Sequence, residues 1–251
     1  MIRSTLIALV LFCAPAMAGT AYVAPPADGG SDGNDCLAPS TPCATVQGAV
    51  DKTARTERTA IHIAPGTYPD AIDVSFRPFG VTLRGKVGTC AESDAAAVVL
   101  SAGVVAQDYT NLNARCVTLG GATGLYCRQL AICDYVDVRL AATTTQLSAV
   151  ELSMLNCGGS IWIRAGGSSV VSLNQSKANM GCWFDLPSGL SYRNAFVIGV
   201  NFSVFNMQGM QSAAHSIALG KQWILTNSIL YRPQQYAVPG SGVFETASSV
   251  Y

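Results

Sequence analysis

A few charged residues and three indoles are the side chains whose types and positions point to chemistry. Asp137 lies between Val136 and Val138, and Glu151 between Val150 and Leu152. On a strand, a polar residue flanked by inward aliphatics points outward. Arg139 and Arg164 flank neighbouring apolar runs, so one exposed sheet would hold carboxylates beside a guanidinium. That set suits a glycoside hydrolase, which needs two carboxyls at a fixed separation, or a lyase, which needs a base beside a neutralised uronate. The simpler reading is four solvated surface charges. Only fourteen residues separate Asp137 from Glu151, too few to bring them round to one face.

The aromatic residues are more regular. Trp162 lies between Ile161 and Ile163, Trp183 between Cys182 and Phe184, and Trp223 opens the run Trp223-Ile224-Leu225, at spacings of 21 and 40. Three outward indoles along one surface would give sugar rings a stacking strip. They would equally serve to pack under lateral loops or against another chain. Tyr126, Tyr135 and Tyr192 would extend such a surface. A further candidate is the loop DGGSDGND, where Asp28, Asp32, Asn34 and Asp35 supply oxygen donors of the kind calcium takes. Turn chemistry accounts for the same residues, so no metal or other cofactor is required.

The elements that must position these residues are short strands. Val46, Ala49 and Val50 give residues 44–54 one helical apolar face. From Ala60 onward the pattern alternates, as in Ile61-His62-Ile63, and closes on Pro65 and Gly66. Apolar runs then centre on Ile61, Val81, Val98, Val117, Val136, Ile161, Cys182, Phe202 and Trp223, at intervals of 17 to 25 residues, with a second series at Val150, Val170, Val197 and Ile217. Several short strands per repeat of about twenty residues describe a coil of parallel strands. About nine coils stacked at ~4.8 Å make a rod roughly 40 Å long. Asn156, Asn174 and Asn201 each follow an aliphatic residue, which suits left-handed corners or stacked amide ladders.

Composition limits the surroundings. The 251 residues carry 15 basic and 15 acidic side chains, and 12% are charged, so there is no basic footprint for nucleic acid. Arg3, the apolar run Leu6–Phe12 and Ala16-Met17-Ala18 read as a signal peptide over residues 1–18. No later run would span a membrane. Export removes Cys13 and leaves eight cysteines, an even number that suits disulfides. Cys36–Cys43 and Cys127–Cys133 are the favoured pairs by proximity, and Cys157–Cys182 and Cys90–Cys116 follow by elimination. His62 and His215 are far from any zinc-like cysteine cluster.

DGGSDGNDC, PCATVQGAVDK and IHIAPGTY, within residues 22–68, resemble the N-terminal cap of secreted right-handed parallel β-helix proteins of the pectin-lyase-like superfamily. The resemblance implies an all-β, single-stranded right-handed parallel β-helix (solenoid), with the short helix capping the first coil. The expected organisation is a signal peptide over 1–18, an N-terminal loop and capping helix over 19–60, and the β-helix over 61–251. Motifs of the family's enzymes, an acidic calcium cluster with a basic residue, or Asn-Thr-Asp, Asp-Asp and Gly-His, find no match, so no catalytic role carries over. The leading expectation is a secreted protein, extracellular or periplasmic, that binds polysaccharide or a cell-surface glycan without turning it over. The alternatives are a lyase or hydrolase with a non-standard site, and a structural adhesin or spike subunit. The abrupt end at Ser248-Ser249-Val250-Tyr251 suggests a partner subunit over the last coil.

Overall fold

The computed structural model describes residues 19–185, 192–200, 203–206, 211–212, 221–225, 227–231, 242–244 and 249–250. Residues 1–18, Asn201, Phe202, His215, Ile217 and Tyr251 lie outside these.

Among the described residues the structure is mostly β with short helical segments, and every strand pairing is parallel. Three faces recur in chain order. The first face is built from Gly19–Val23, Thr59–Ile63, Val81–Arg84, Asn111–Arg115, the first halves of Ile132–Leu140 and Met154–Ile163, then Lys177–Met180 and Val204–Asn206. The second stacks Gly66–Tyr68, Val98–Leu100, Thr118–Leu119, the second halves of those two long strands, and Trp183–Asp185. The third runs from Ile72–Ser75 through Val104–Gln107, Thr123–Cys127, Thr145–Val150 and Gly167–Asn174 to Tyr192–Val200 and Lys221–Leu225.

Register produces the core. Ile61, Leu83, Ala114 and Tyr135 are stacked partners on the first face, and Leu100, Leu119, Leu140 and Ile163 on the second; all are buried. Like side chains pack on like one strand spacing away, so the core is a set of aliphatic columns. Tyr135, expected at the surface, belongs to such a column: it is fully buried and its hydroxyl donates to Met180 Sδ at 2.9 Å. Burial pushes its phenol pKa up.

The turn from the third face to the first uses left-handed backbone at Asp108, Tyr109, Gln129, Leu130, Glu151, Leu152 and Gln175. Among the described residues, Asn227 is the asparagine found at such a corner. Asn156 lies inside a strand, and Asn174 ends one with Val150 and Val200 as partners, so neither forms the expected corner. What stacks at the corner is a buried small column, Thr110, Ala131, Ser153, Ser176, Ser203 and Ser228. Its backbone carbonyls accept from the next strand, as in Met154 N–H to Ala131 O at 2.9 Å and Lys177 N–H to Ser153 O at 3.0 Å. Tyr109, Leu130 and Leu152 are exposed at the same edge.

Helix Val46–Lys52 buries Val46, Ala49 and Val50 against Gly19–Val23, Thr59–Ile63 and Ile72–Ser75. Thr45 caps it by accepting from Gly48 N–H. Gly19–Val23 is itself a strand on the edge of Thr59–Ile63, within the stretch read from sequence as loop and helix. A second helix, Glu92–Ala97, packs over the second face, where the Thr118 hydroxyl donates to Ala95 O at 2.8 Å.

Four disulfides tie the coils: Cys36–Cys43, Cys90–Cys116, Cys127–Cys133 and Cys157–Cys182, with Cα separations of 5.0, 5.8, 6.5 and 5.6 Å. All four pairs match the sequence reading, and they suit an oxidising environment. No helix among the described residues is long and apolar enough to cross a membrane.

Candidate functional site

The outer surface of the first face carries two polar columns set by register. One runs Thr82, Asn113, Asp134, Asn156, Asn179. Asn156 Nδ2 donates to Asp134 Oδ1 and Asn179 Nδ2 to Asn156 Oδ1, each at 2.8 Å, so the side chains form a ladder one strand apart. The second column runs Tyr22, His62, Arg84, Arg115, Val136, Gly158. Tyr22 and His62 stack with centroids 5.4 Å apart and an interplanar angle of 20°. A cleft of about 270 Å³ opens beside them, between Pro39 and Pro42 on one wall and Gly85, Lys86 and Val87 on the other. Burial, and then the charge of Arg84, pushes the His62 pKa below its ordinary value.

The second face carries a charge network. Arg139, Trp162 and Asp185 are register partners. Arg164 grips Glu92 with Nε to Oε1 at 2.5 Å and Nη2 to Oε2 at 2.6 Å, and it reaches Asp185 Oδ2 at 2.6 Å. Arg139 Nε lies 3.5 Å from Glu92 Oε1. A bidentate guanidinium bond is strong and directional, and hydrogen bonding from Arg164 holds Glu92 below the usual carboxylate range. Arg164 is raised in turn, chiefly by Glu92.

Arg139 and Arg164 therefore meet, but through Glu92, with Asp185 joining on Arg164, and spacing revealed neither carboxylate. Glu92 arrives from helix Glu92–Ala97, 72 residues from Arg164. Asp137 and Glu151 do not meet. Asp137 has left-handed backbone at a bulge, where Gly159 and Ser160 oppose it on the next strand, and its Oδ1 accepts from Ser160 N–H at 2.9 Å. Alternation slips there, because Val136 belongs to the outward column while Val138 is buried. Glu151 is exposed on a left-handed corner, and its carbonyl accepts from Leu130 N–H.

The indoles divide. Trp162 is half-buried between the buried Ile161 and Ile163. Trp183 pairs with Ser160, two residues off Trp162 on the same face. Trp223 pairs with Val197 on the third face, in the register of buried Leu147 and Val171. Register thus places Trp162 and Trp183 on strands of the second face and Trp223 on a strand of the third.

In the acidic loop, Asp32 accepts from Ala44 N–H, Thr45 N–H and the Thr45 hydroxyl, and Asp35 accepts from Leu37 N–H and the Thr41 hydroxyl. Asn34 donates to Pro42 O at 2.7 Å. Asp28 closes a turn of 3-10 helix. These bonds fold the loop onto the helix N-terminus. Among the described residues no three His, Cys, Asp or Glu side chains cluster as a metal site would.

No family model matches the chain, and no curated protein matches it. A solved structure described as a rhamnogalacturonan lyase is similar over 86% of this chain and 69% of its own, at 10% identity and a TM-score of 0.21.

Proposed function

We propose that the chain is a secreted right-handed parallel β-helix of about nine coils, pectin-lyase-like and capped by helix Val46–Lys52, that binds polysaccharide or a cell-surface glycan without cleaving it. The carrying observation is the bonded ladder Asp134, Asn156, Asn179 beside the Tyr22–His62 stack and its cleft. An amide ladder offers donors and acceptors at ~4.8 Å intervals, a polar array on which sugar hydroxyls can bond, and flat rings favour their apolar faces. Trp162 and Trp183 extend the binding surface onto the second face. The charge network favours this reading over a hydrolase or lyase, because Arg164 already holds both Glu92 and Asp185. The four disulfides support export, and no resident cofactor is invoked.

A glycan array tests it. Wild type should bind at least one polysaccharide class, and Asn156→Ala and Trp162→Ala with Trp183→Ala should each weaken that binding at least about fivefold, the loss of roughly one hydrogen bond or ring contact. Absence of binding across the array, or release of unsaturated or reducing-end products from a bound polymer, would sink the proposal.

A further inference from the structure

Arg84 and Arg115 are direct register partners on the outer first face, between His62 and Val136. Like charges placed opposite one another on neighbouring strands repel. Elsewhere this protein answers such charge with carboxylates, as Arg139 and Arg164 do with Glu92 and Asp185. Here it does not: among the described residues neither Arg84 nor Arg115 has an acidic side chain within ion-pair reach. Arg115 Nη2 donates to Gly88 O at 3.1 Å. The Nε atoms of both arginines are buried and have no acceptor. A buried donor without a partner is costly, and two of them, on arginines paired in register, mark a place built for negative charge.

Nearby groups fit the same occupant. The pKa of His62 is lowered, so the imidazole adds little positive charge of its own near neutrality and leaves its ring for stacking on Tyr22. Lys86 borders the cleft, tied to Asp94 at 2.7 Å, and Asp134 is engaged by Asn156. The loop carrying Lys86 and Gly88 is pinned to the sheet by Cys90–Cys116, next to Arg115, so the Gly88 carbonyl that accepts from Arg115 is held in place.

We propose that Arg84 and Arg115 together hold an oxyanion carried on the bound glycan, a carboxylate or a sulfate ester, whose oxygens accept from both side chains. This rests on the glycan reading of the first face. It narrows the ligand to an acidic polymer and gives the paired arginines a counter-charge.

The test measures binding of hyaluronan (carboxylate), dextran sulfate (sulfate ester) and neutral dextran to the full mature chain at low salt, with free sulfate as a fourth ligand read by melting temperature. Wild type should bind one acidic polymer at least about tenfold more tightly than dextran, as charge-assisted hydrogen bonds require. Arg84→Gln and Arg115→Gln should each lose at least about tenfold of that affinity, while Arg58→Gln, an exposed change of equal charge, should lose under about twofold. Ligand-free Arg84→Gln should melt no lower than wild type, because it removes a repulsion, and that outcome also shows the variant is folded. Which acidic polymer binds decides between carboxylate and sulfate. Undiminished acidic binding by both variants overturns the arginine pair, as does preference for dextran, and either leaves the glycan reading standing. Failure of every polymer, with free sulfate still stabilising wild type but not Arg84→Gln, removes the glycan reading and keeps the oxyanion site. No polymer binding and no sulfate effect removes both.

Discussion

Gly159→Ala should destabilise the protein by about 3 kcal/mol, and the same change should cost far less once Asp137 is gone. Gly159 has φ +64°, and a Cβ placed there would sit 2.1 Å from Asp137 Oδ1 and 2.8 Å from its Cγ. Left-handed backbone costs alanine about 1 kcal/mol. The short Asp137 side chain must also turn away and give up its bond to Ser160 N–H, worth about 2 kcal/mol for a charged acceptor in a half-buried place. Asp137→Ala alone forfeits that bond and should cost about 2 kcal/mol. In the double variant nothing remains to collide with, so the total should stay near 3 kcal/mol, leaving an interaction energy of about 2 kcal/mol between neighbours. Urea unfolding followed by tryptophan fluorescence reads this directly, since Trp162 lies in the strand that holds Gly159. Simple additivity, near 5 kcal/mol for the pair, would show that the carboxylate does not brace the bulge, and would reopen Asp137 as a residue with another task.

Arg164→Gln should cost about 2 kcal/mol near neutral pH by leaving Glu92 and Asp185 without their shared cation. Glu92 has a lowered folded pKa, so its stabilisation is complete above the unfolded value of ~4.3 and is lost as pH falls through the lower folded value. Melting temperatures of wild type and variant should therefore converge in acid, and a gap independent of pH would refute the assignment. Leu112→Ala, at a fully buried column position, should cost about 3 kcal/mol by denaturant titration. Tyr135→Phe should change stability by less than about 1 kcal/mol, because its hydroxyl meets only a thioether, a poor acceptor; a large loss would mean the phenol has a stronger partner.

The repeat length was legible because aliphatic runs recur every twenty or so residues, but the phase was not. Val98 and Ile161 belong to the second face, while Ile61 aligns with Leu83, Ala114 and Tyr135 on the first, so a single series of centres mixed two columns. Parity held at Trp162, between two inward isoleucines, and failed at Asp137, where left-handed backbone turns the chain between faces. The four disulfides were readable because each joins cysteines at most 26 residues apart, about one turn of the coil. Glu92 and Asp185 were invisible as partners of Arg164 because a lateral helix brings one and register brings the other. Arg84 and Arg115, 31 positions apart, show no sequence signal at all, as the stretch between them includes the loop that interrupts the period.

The parallel register also sets how the molecule would respond to load. Each strand bonds to its counterparts in the turns before and after, and nearest-neighbour contacts of this kind make stability a sum of local contributions. A pull along the stack would peel the parallel sheets strand by strand, with each step resisted by one strand's ladder. The cystines change that course. Cys90–Cys116 and Cys157–Cys182 each span about one turn, so a turn closed by them becomes a loop that tension cannot lengthen until the sulfur bond breaks. Force extension in oxidised and reduced protein would then differ in contour length, with the reduced chain paying out the extra residues.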